Sequence, residues 1–115
     1  LCARWAWVAC CSLLLVSGAG GQGSAADAAR QACMARAEAQ IVRAPDKHEM
    51  GVTTSHLFKR DIASFFCGRS PEQLSVLELG IYHGHTTALL TAIFGHVLSL
   101  DIEPKYLEIS AQHSE

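Results

Sequence analysis

Residues 75–90 read SVLELGIYHGHTTALL: a short apolar run, two glycines four positions apart, and a second apolar run. Val76, Leu77 and Leu79, bounded by turn residues, suit a buried strand of a parallel sheet. Ala88, Leu89, Ala92 and Ile93 then recur at helical spacing until Gly95 closes the run. A further apolar segment, HVLSLDIEP over residues 96–104, ends in Asp101 and is broken by Pro104, after which KYLEISAQHSE begins another helix. The order strand, glycine turn, helix, strand, helix predicts an α/β protein with a parallel sheet and right-handed crossovers.

Ligands of such sheets bind outside the carboxyl ends of the strands, where both the glycine turn and Asp101 fall. Gly80 and Gly84 allow the backbone to pass close to a ligand, and the N–H groups at the start of the following helix favour a carboxylate or phosphate. Asp101, about 20 residues beyond the first glycine, suits a pair of ribose hydroxyls. A nucleoside cofactor accounts for these features together. A dinucleotide fingerprint G-x-G-x-x-G starting at Gly80 would need glycine at positions 82 and 85, which hold Tyr82 and His85. The pattern present is E-x-G-x-x-x-G, from Glu78 through Gly80 to Gly84, with Thr86 two residues on.

VLELGIYHGHTT followed by VLSLDIEPKY resembles motifs I and II of the class I S-adenosylmethionine-dependent methyltransferases, and is most similar to the catechol-type small-molecule O-methyltransferases. The resemblance spans residues 75 to about 110, roughly a third of the chain. It implies a Rossmann-like parallel sheet of which the first two strands are present, preceded by N-terminal helices, and transfer of a methyl group from S-adenosylmethionine to a small-molecule acceptor. By position it implies that Glu78 faces the cofactor's amino group, that Gly80, Tyr82 and Gly84 form the turn around it, and that Thr86 meets the methionine carboxylate. Asp101 would hold the ribose and Ile102 would lie against the adenine. In that family the metal site and the catalytic base lie beyond the segment present here, so the resemblance assigns neither. Two other readings stay open: a non-catalytic methyltransferase-like binding domain, and a nucleotide- or NAD-binding Rossmann enzyme with a degenerate glycine loop.

Composition agrees with one small domain. The chain has 115 residues, half of them hydrophobic, and a net charge of −2 from nine basic and eleven acidic side chains. No basic block is present to track a phosphate backbone, which argues against a nucleic-acid partner. His83 and His85 form an H-x-H pair without a third ligand in the motif, so the sequence predicts no metal site.

Upstream, Arg4, the apolar run WAWVACCSLLLV over residues 5–16 and the small residues SGAGG have the make-up of a signal peptide over residues 1–19 that directs the chain to the secretory pathway or an organelle lumen. The run is too short for a bilayer, which takes about 20 apolar residues, so no stable span is expected once it is removed. A linker and an Ala-rich helix fill residues 20–46, with Arg30, Arg36 and Arg43 spread through them and Pro45 as the stop. That helix reads either as a docking helix or as a second targeting segment. Residues 47–115 are expected to be the N-terminal portion of a methyltransferase domain, inactive in isolation because two strands leave too much apolar surface and too many edges uncovered. Within them Leu57, Phe58, Ile62, Phe65 and Phe66 predict a helix, capped by Thr54 or Ser55 and ended by Gly68, with an aromatic face on the sheet. Cys33 and Cys67 would remain after leader removal; they either pair in an oxidising lumen or stay as buried free thiols, the latter being the simpler reading.

Overall fold

The computed structural model describes residues 23–47, 49 and 54–112, so the leader-like segment and much of the MGVTTS loop lie outside the described residues. The elements are α1 (Gly23–Ile41), α2 (His56–Phe66), a 3-10 turn (Pro71–Gln73), β1 (Ser75–Leu79), α3 (His85–Ile93), β2 (His96–Leu100) and α4 (Pro104–Ala111). Together they make a mixed α/β unit around a two-stranded parallel sheet. Among the described residues no helix is long and apolar enough to cross a membrane.

The two strands pair in register from Ser75 opposite His96 to Leu79 opposite Leu100. The ladder continues into the turn, where the Gly80 N–H donates to the Leu100 carbonyl at 2.8 Å. Side chains alternate across the sheet. Val76 and Val97 pack against the core on the side of α3, and Glu78 and Ser99 follow them on that face. Leu79, Leu98 and Leu100 remain 47%, 61% and 48% exposed. The expectation of a fully buried strand therefore holds for one face only, because a parallel sheet becomes dry when helices cover both sides and the described helices α1–α3 gather on one.

The core is a helical layer in which Cys33, Ala37 and Ile41 of α1 meet Ala63 of α2 and Leu89, Leu90 and Ile93 of α3. Only the second half of α1 takes part, since residues 25–32 are exposed. The i, i+4 spacing of Cys33, Ala37 and Ile41 gives a narrow stripe, and alanine there lets the helix axes approach closely. Helix α2 begins as its sequence requires, with the Ser55 hydroxyl accepting from the Phe58 N–H. Its buried residues, however, are Lys59 and Ala63, while Leu57, Phe58 and Phe65 are 70%, 52% and 37% exposed. The aromatic face was expected on the sheet; the helix instead packs against α1 and α3, which rotates Lys59, Ala63 and the adjoining Cys67 inward. Phe66 reaches the core edge-on to Phe94, with ring centroids 4.9 Å apart.

Cys33 and Cys67 form a disulfide rather than two free thiols. Both are buried, so the bond fixes the middle of α1 to the end of α2 inside the core. Two cysteines 34 residues apart carry no pairing signal in sequence; the packing of the two helices brings them together. Gly95 has a similar hidden role, because a Cβ there would lie 2.0 Å from the Glu72 carbonyl oxygen. The chain can turn from α3 into β2 against the 3-10 turn only without a side chain at this point.

Closing a loop of this length removes about 3–4 kcal/mol of chain entropy from the unfolded state. Cys33→Ala combined with Cys67→Ala is therefore expected to lower unfolding free energy by that amount in denaturant titrations. The same loss is expected on adding reductant to the native protein, and equal stability with and without reductant would contradict the pairing.

Candidate functional site

Glu78 is the next-to-last residue of β1 before the glycine loop and is 2% exposed. Its Oε2 accepts two hydroxyl donors, Thr87 of α3 at 2.7 Å and Ser99 of β2 at 2.8 Å. Its Oε1 is buried and has no partner among the described residues. A carboxylate oxygen removed from water without a donor is costly, and such atoms are rare in native interiors. Burial pushes the Glu78 carboxyl above the ordinary carboxylate range, the two hydroxyls pull it back, and the Asp101 carboxylate adds to the rise. A donor placed at Oε1 would relieve this condition, and a cationic one would do so best.

The turn itself is held by Asp101. Its Oδ2 accepts from the Ile81 N–H at 2.7 Å and more weakly from the Tyr82 N–H at 3.4 Å, while Oδ1 accepts from the Glu103 N–H at 2.9 Å. These backbone donors, Glu103 first and Ile81 next, hold the Asp101 carboxyl below its ordinary range. Three residues of the turn have left-handed backbone: Gly80 at φ 88°, Tyr82 at φ 51° and Gly84 at φ 74°. Glycine adopts this conformation freely, but for Tyr82 it costs roughly 1–2 kcal/mol. The clamp from Asp101 and ring contacts of Tyr82 with His83 (4.1 Å) and Tyr106 (5.3 Å) keep it there.

Gly84 caps α3. Thr86 stands in the first turn of α3, with its hydroxyl 3.1 Å from that of Thr54. The Thr54 carbonyl in turn accepts from Lys59 Nζ at 2.8 Å. Lys59 is fully buried, and burial pulls its ammonium below the ordinary lysine range against the opposing field of Asp46. Thr54, Thr86, Glu78 and Gly80 border one end of an apolar groove of ≈ 500 Å³ that runs along β1, walled by Phe58, Ile62 and Phe66 of α2 and by Leu90 and Phe94 near α3.

The structure thus brings Glu78, Gly80 and Thr86 to one groove end, with Tyr82, Gly84 and Asp101 building the adjacent turn. Ile102 is set apart, 96% exposed on the link to α4. Thr54, Lys59, Thr87 and Ser99 were not singled out by the motif. Thr87 had a signal, since it lies one residue beyond Thr86 and faces back toward β1 at the start of a helix; Lys59 had none. His83 and His85 have ring centroids 6.2 Å apart, and among the described residues no group of three His, Cys, Asp or Glu side chains is arranged to hold a metal ion.

Comparisons of the chain with protein-family models, with curated proteins and with solved structures find no match.

A carboxyl that titrates higher in the folded than in the unfolded chain makes its protonated form the one folding favours. Its contribution is complete below the unfolded value and disappears as pH rises through the folded one. Stability of the wild type is therefore expected to fall relative to Glu78→Gln as pH rises from the acid range toward neutrality. Urea denaturation of both proteins across that range is the check, and parallel curves would show that Glu78 is not perturbed.

Proposed function

We propose that the chain carries the cofactor-binding half of an S-adenosylmethionine-dependent methyltransferase with a class I, Rossmann-like sheet. The observation that carries the reading is the buried Glu78 Oε1 at the carboxyl end of β1, without a partner among the described residues, on the same groove as the Thr54 and Thr86 hydroxyl pair. One position asks for a donor and the other offers donors. An α-amino acid end, ammonium and carboxylate on one carbon, has the chemistry to satisfy both.

The rest of the site fits the nucleoside moiety of that cofactor. The Tyr82 contact with Asp101, at 3.4 Å, is the weakest of its backbone bonds, so a ribose hydroxyl can take that acceptor direction while the bonds from Ile81 and Glu103 persist. Gly80 leaves open space where a Cβ would stand, with no atom of the described residues within 4 Å. The left-handed Tyr82 and Gly84 shape the remaining wall, and the side chain of Ile102, almost wholly exposed, is free to lie on an adenine. Tyr82 and His85 stand where a dinucleotide's pyrophosphate would need bare backbone, which disfavours NAD.

When bound, the cofactor supplies a methyl group on a sulfonium, activated for in-line displacement. The chain's own residues bind and orient: Glu78 receives the ammonium, the Thr86 hydroxyl and the positive end of the α3 dipole receive the carboxylate, and Asp101 fixes both the ribose and the turn beneath it. A small-molecule acceptor follows from the motif resemblance alone. We further propose that the protein matures in an oxidising compartment of the secretory route, a reading supported by the Cys33–Cys67 disulfide and by the leader-like composition of residues 1–19.

In calorimetric titrations of the complete protein, S-adenosylmethionine or S-adenosylhomocysteine is expected to bind and NAD is not. Asp101→Ala should weaken binding by at least about tenfold, since charge-assisted hydrogen bonds contribute roughly 1.5–3 kcal/mol each. Tighter binding of NAD, or unchanged affinity in Asp101→Ala, would contradict the assignment.

A further inference from the structure

A lysine ammonium with no exposed surface is unusual, and Lys59 is placed where its charge has a direction. It sits on α2 and donates to a neutral acceptor, the Thr54 carbonyl, at 2.8 Å. The Thr54 hydroxyl lies 3.1 Å from that of Thr86, and Thr86 belongs to the first turn of α3, where backbone N–H groups have no intrahelical partner. A cation, two hydroxyls and a helix start therefore follow one another toward the groove end that Glu78 borders. Asp46 is the carboxylate whose field reaches Lys59, and its Oδ1 already accepts from the N–H groups of Lys47 and His56.

We infer that Lys59 is a positioning and specificity residue: through Thr54 and Thr86 it makes this end of the groove select a ligand bearing a carboxylate, the amino-acid end of a sulfur-linked nucleoside. The inference rests on the cofactor reading above and goes beyond it, because nothing in the glycine motif involves α2. The charge needs no direct contact with the ligand. It acts at short range through a low-dielectric interior, and it fixes the Thr54 backbone so that the hydroxyl pair is already in place. Glu78 and Lys59 thus divide the two ends of a zwitterion, the acid receiving the ammonium and the buried cation favouring the carboxylate.

Two ligands separate these contributions. S-adenosylhomocysteine carries the amino-acid end, and 5′-methylthioadenosine keeps the nucleoside and sulfur but lacks it. The complete wild-type protein is expected to bind the first at least about tenfold more tightly, a difference of about 1.4 kcal/mol. Lys59→Gln retains a donor for the Thr54 carbonyl without the charge, and Lys59→Met removes both. Each should weaken S-adenosylhomocysteine roughly fivefold to tenfold and leave 5′-methylthioadenosine unchanged, because the lost effect is confined to the carboxylate. Equal weakening of both ligands would reduce Lys59 to a structural residue, and unaltered S-adenosylhomocysteine binding would remove it from the site. Equal affinity of the wild-type protein for the two ligands would overturn the role of Lys59 together with the placement of the amino-acid end at Glu78 and Thr86, leaving only the nucleoside part of the cofactor reading. Binding of neither ligand overturns the cofactor reading and this inference with it.

Discussion

The Glu78 carboxylate is the constraint on which the site depends. One oxygen joins three elements, since Glu78 itself stands near the end of β1 while its donors Thr87 and Ser99 come from α3 and β2. A β–α–β unit is ordinarily tied together by apolar contacts between helix and sheet, and those exist here through Val76, Val97, Leu89 and Ile93. At the carboxyl end of the strands the tie is polar instead. The two hydroxyls satisfy one oxygen and leave the other buried without a donor among the described residues, so the same group that orders the strand ends also keeps an unmet demand there. An apolar residue at this position would fill the space, yet it would remove both the polar tie to Thr87 and Ser99 and the acceptor left at Oε1.

Asp101 plays a complementary role at the end of the neighbouring strand. By accepting from Ile81, Tyr82 and Glu103 it holds a turn containing a left-handed tyrosine, a conformation whose strain the local contacts must offset. The strained turn lies beside one end of the apolar groove, and these contacts hold its shape without help from a ligand. The disulfide supports the opposite wall, since Cys67 directly follows α2, whose Phe58, Ile62 and Phe66 line the groove. Groove and glycine turn are therefore anchored separately, the first through α1 and α2, the second through β2.

Much of the order of elements was legible in the sequence, because its signals are local. The change from a short apolar run to helical spacing across Gly80 and Gly84, the stop at Gly95 and the break at Pro104 all act within a few residues, and the strands and helices begin and end close to them. What escaped was decided by packing. Which stripe of α2 faces inward depends on α1, not on the sheet, so the aromatic residues that dominate its sequence are mostly the exposed ones. A lysine within such a stripe reads as solvated, and only the return of the 54–55 backbone over the helix start gives Lys59 a buried acceptor. The cysteine pairing is likewise a product of helix packing. Within the motif, position indicated that Glu78, Gly80 and Thr86 would gather; the division of labour between Thr86, which meets Thr54, and Thr87, which meets Glu78, required the geometry of α3.

The most direct measurement of this account is the titration of the Glu78 carboxyl carbon by NMR in the complete protein, alone and saturated with S-adenosylhomocysteine. The account predicts a carboxyl that titrates above the ordinary range when the site is free and moves down when the ligand's ammonium supplies the missing partner to Oε1. A Glu78 that titrates normally in the free protein, or one whose titration is the same with and without bound ligand, would contradict it.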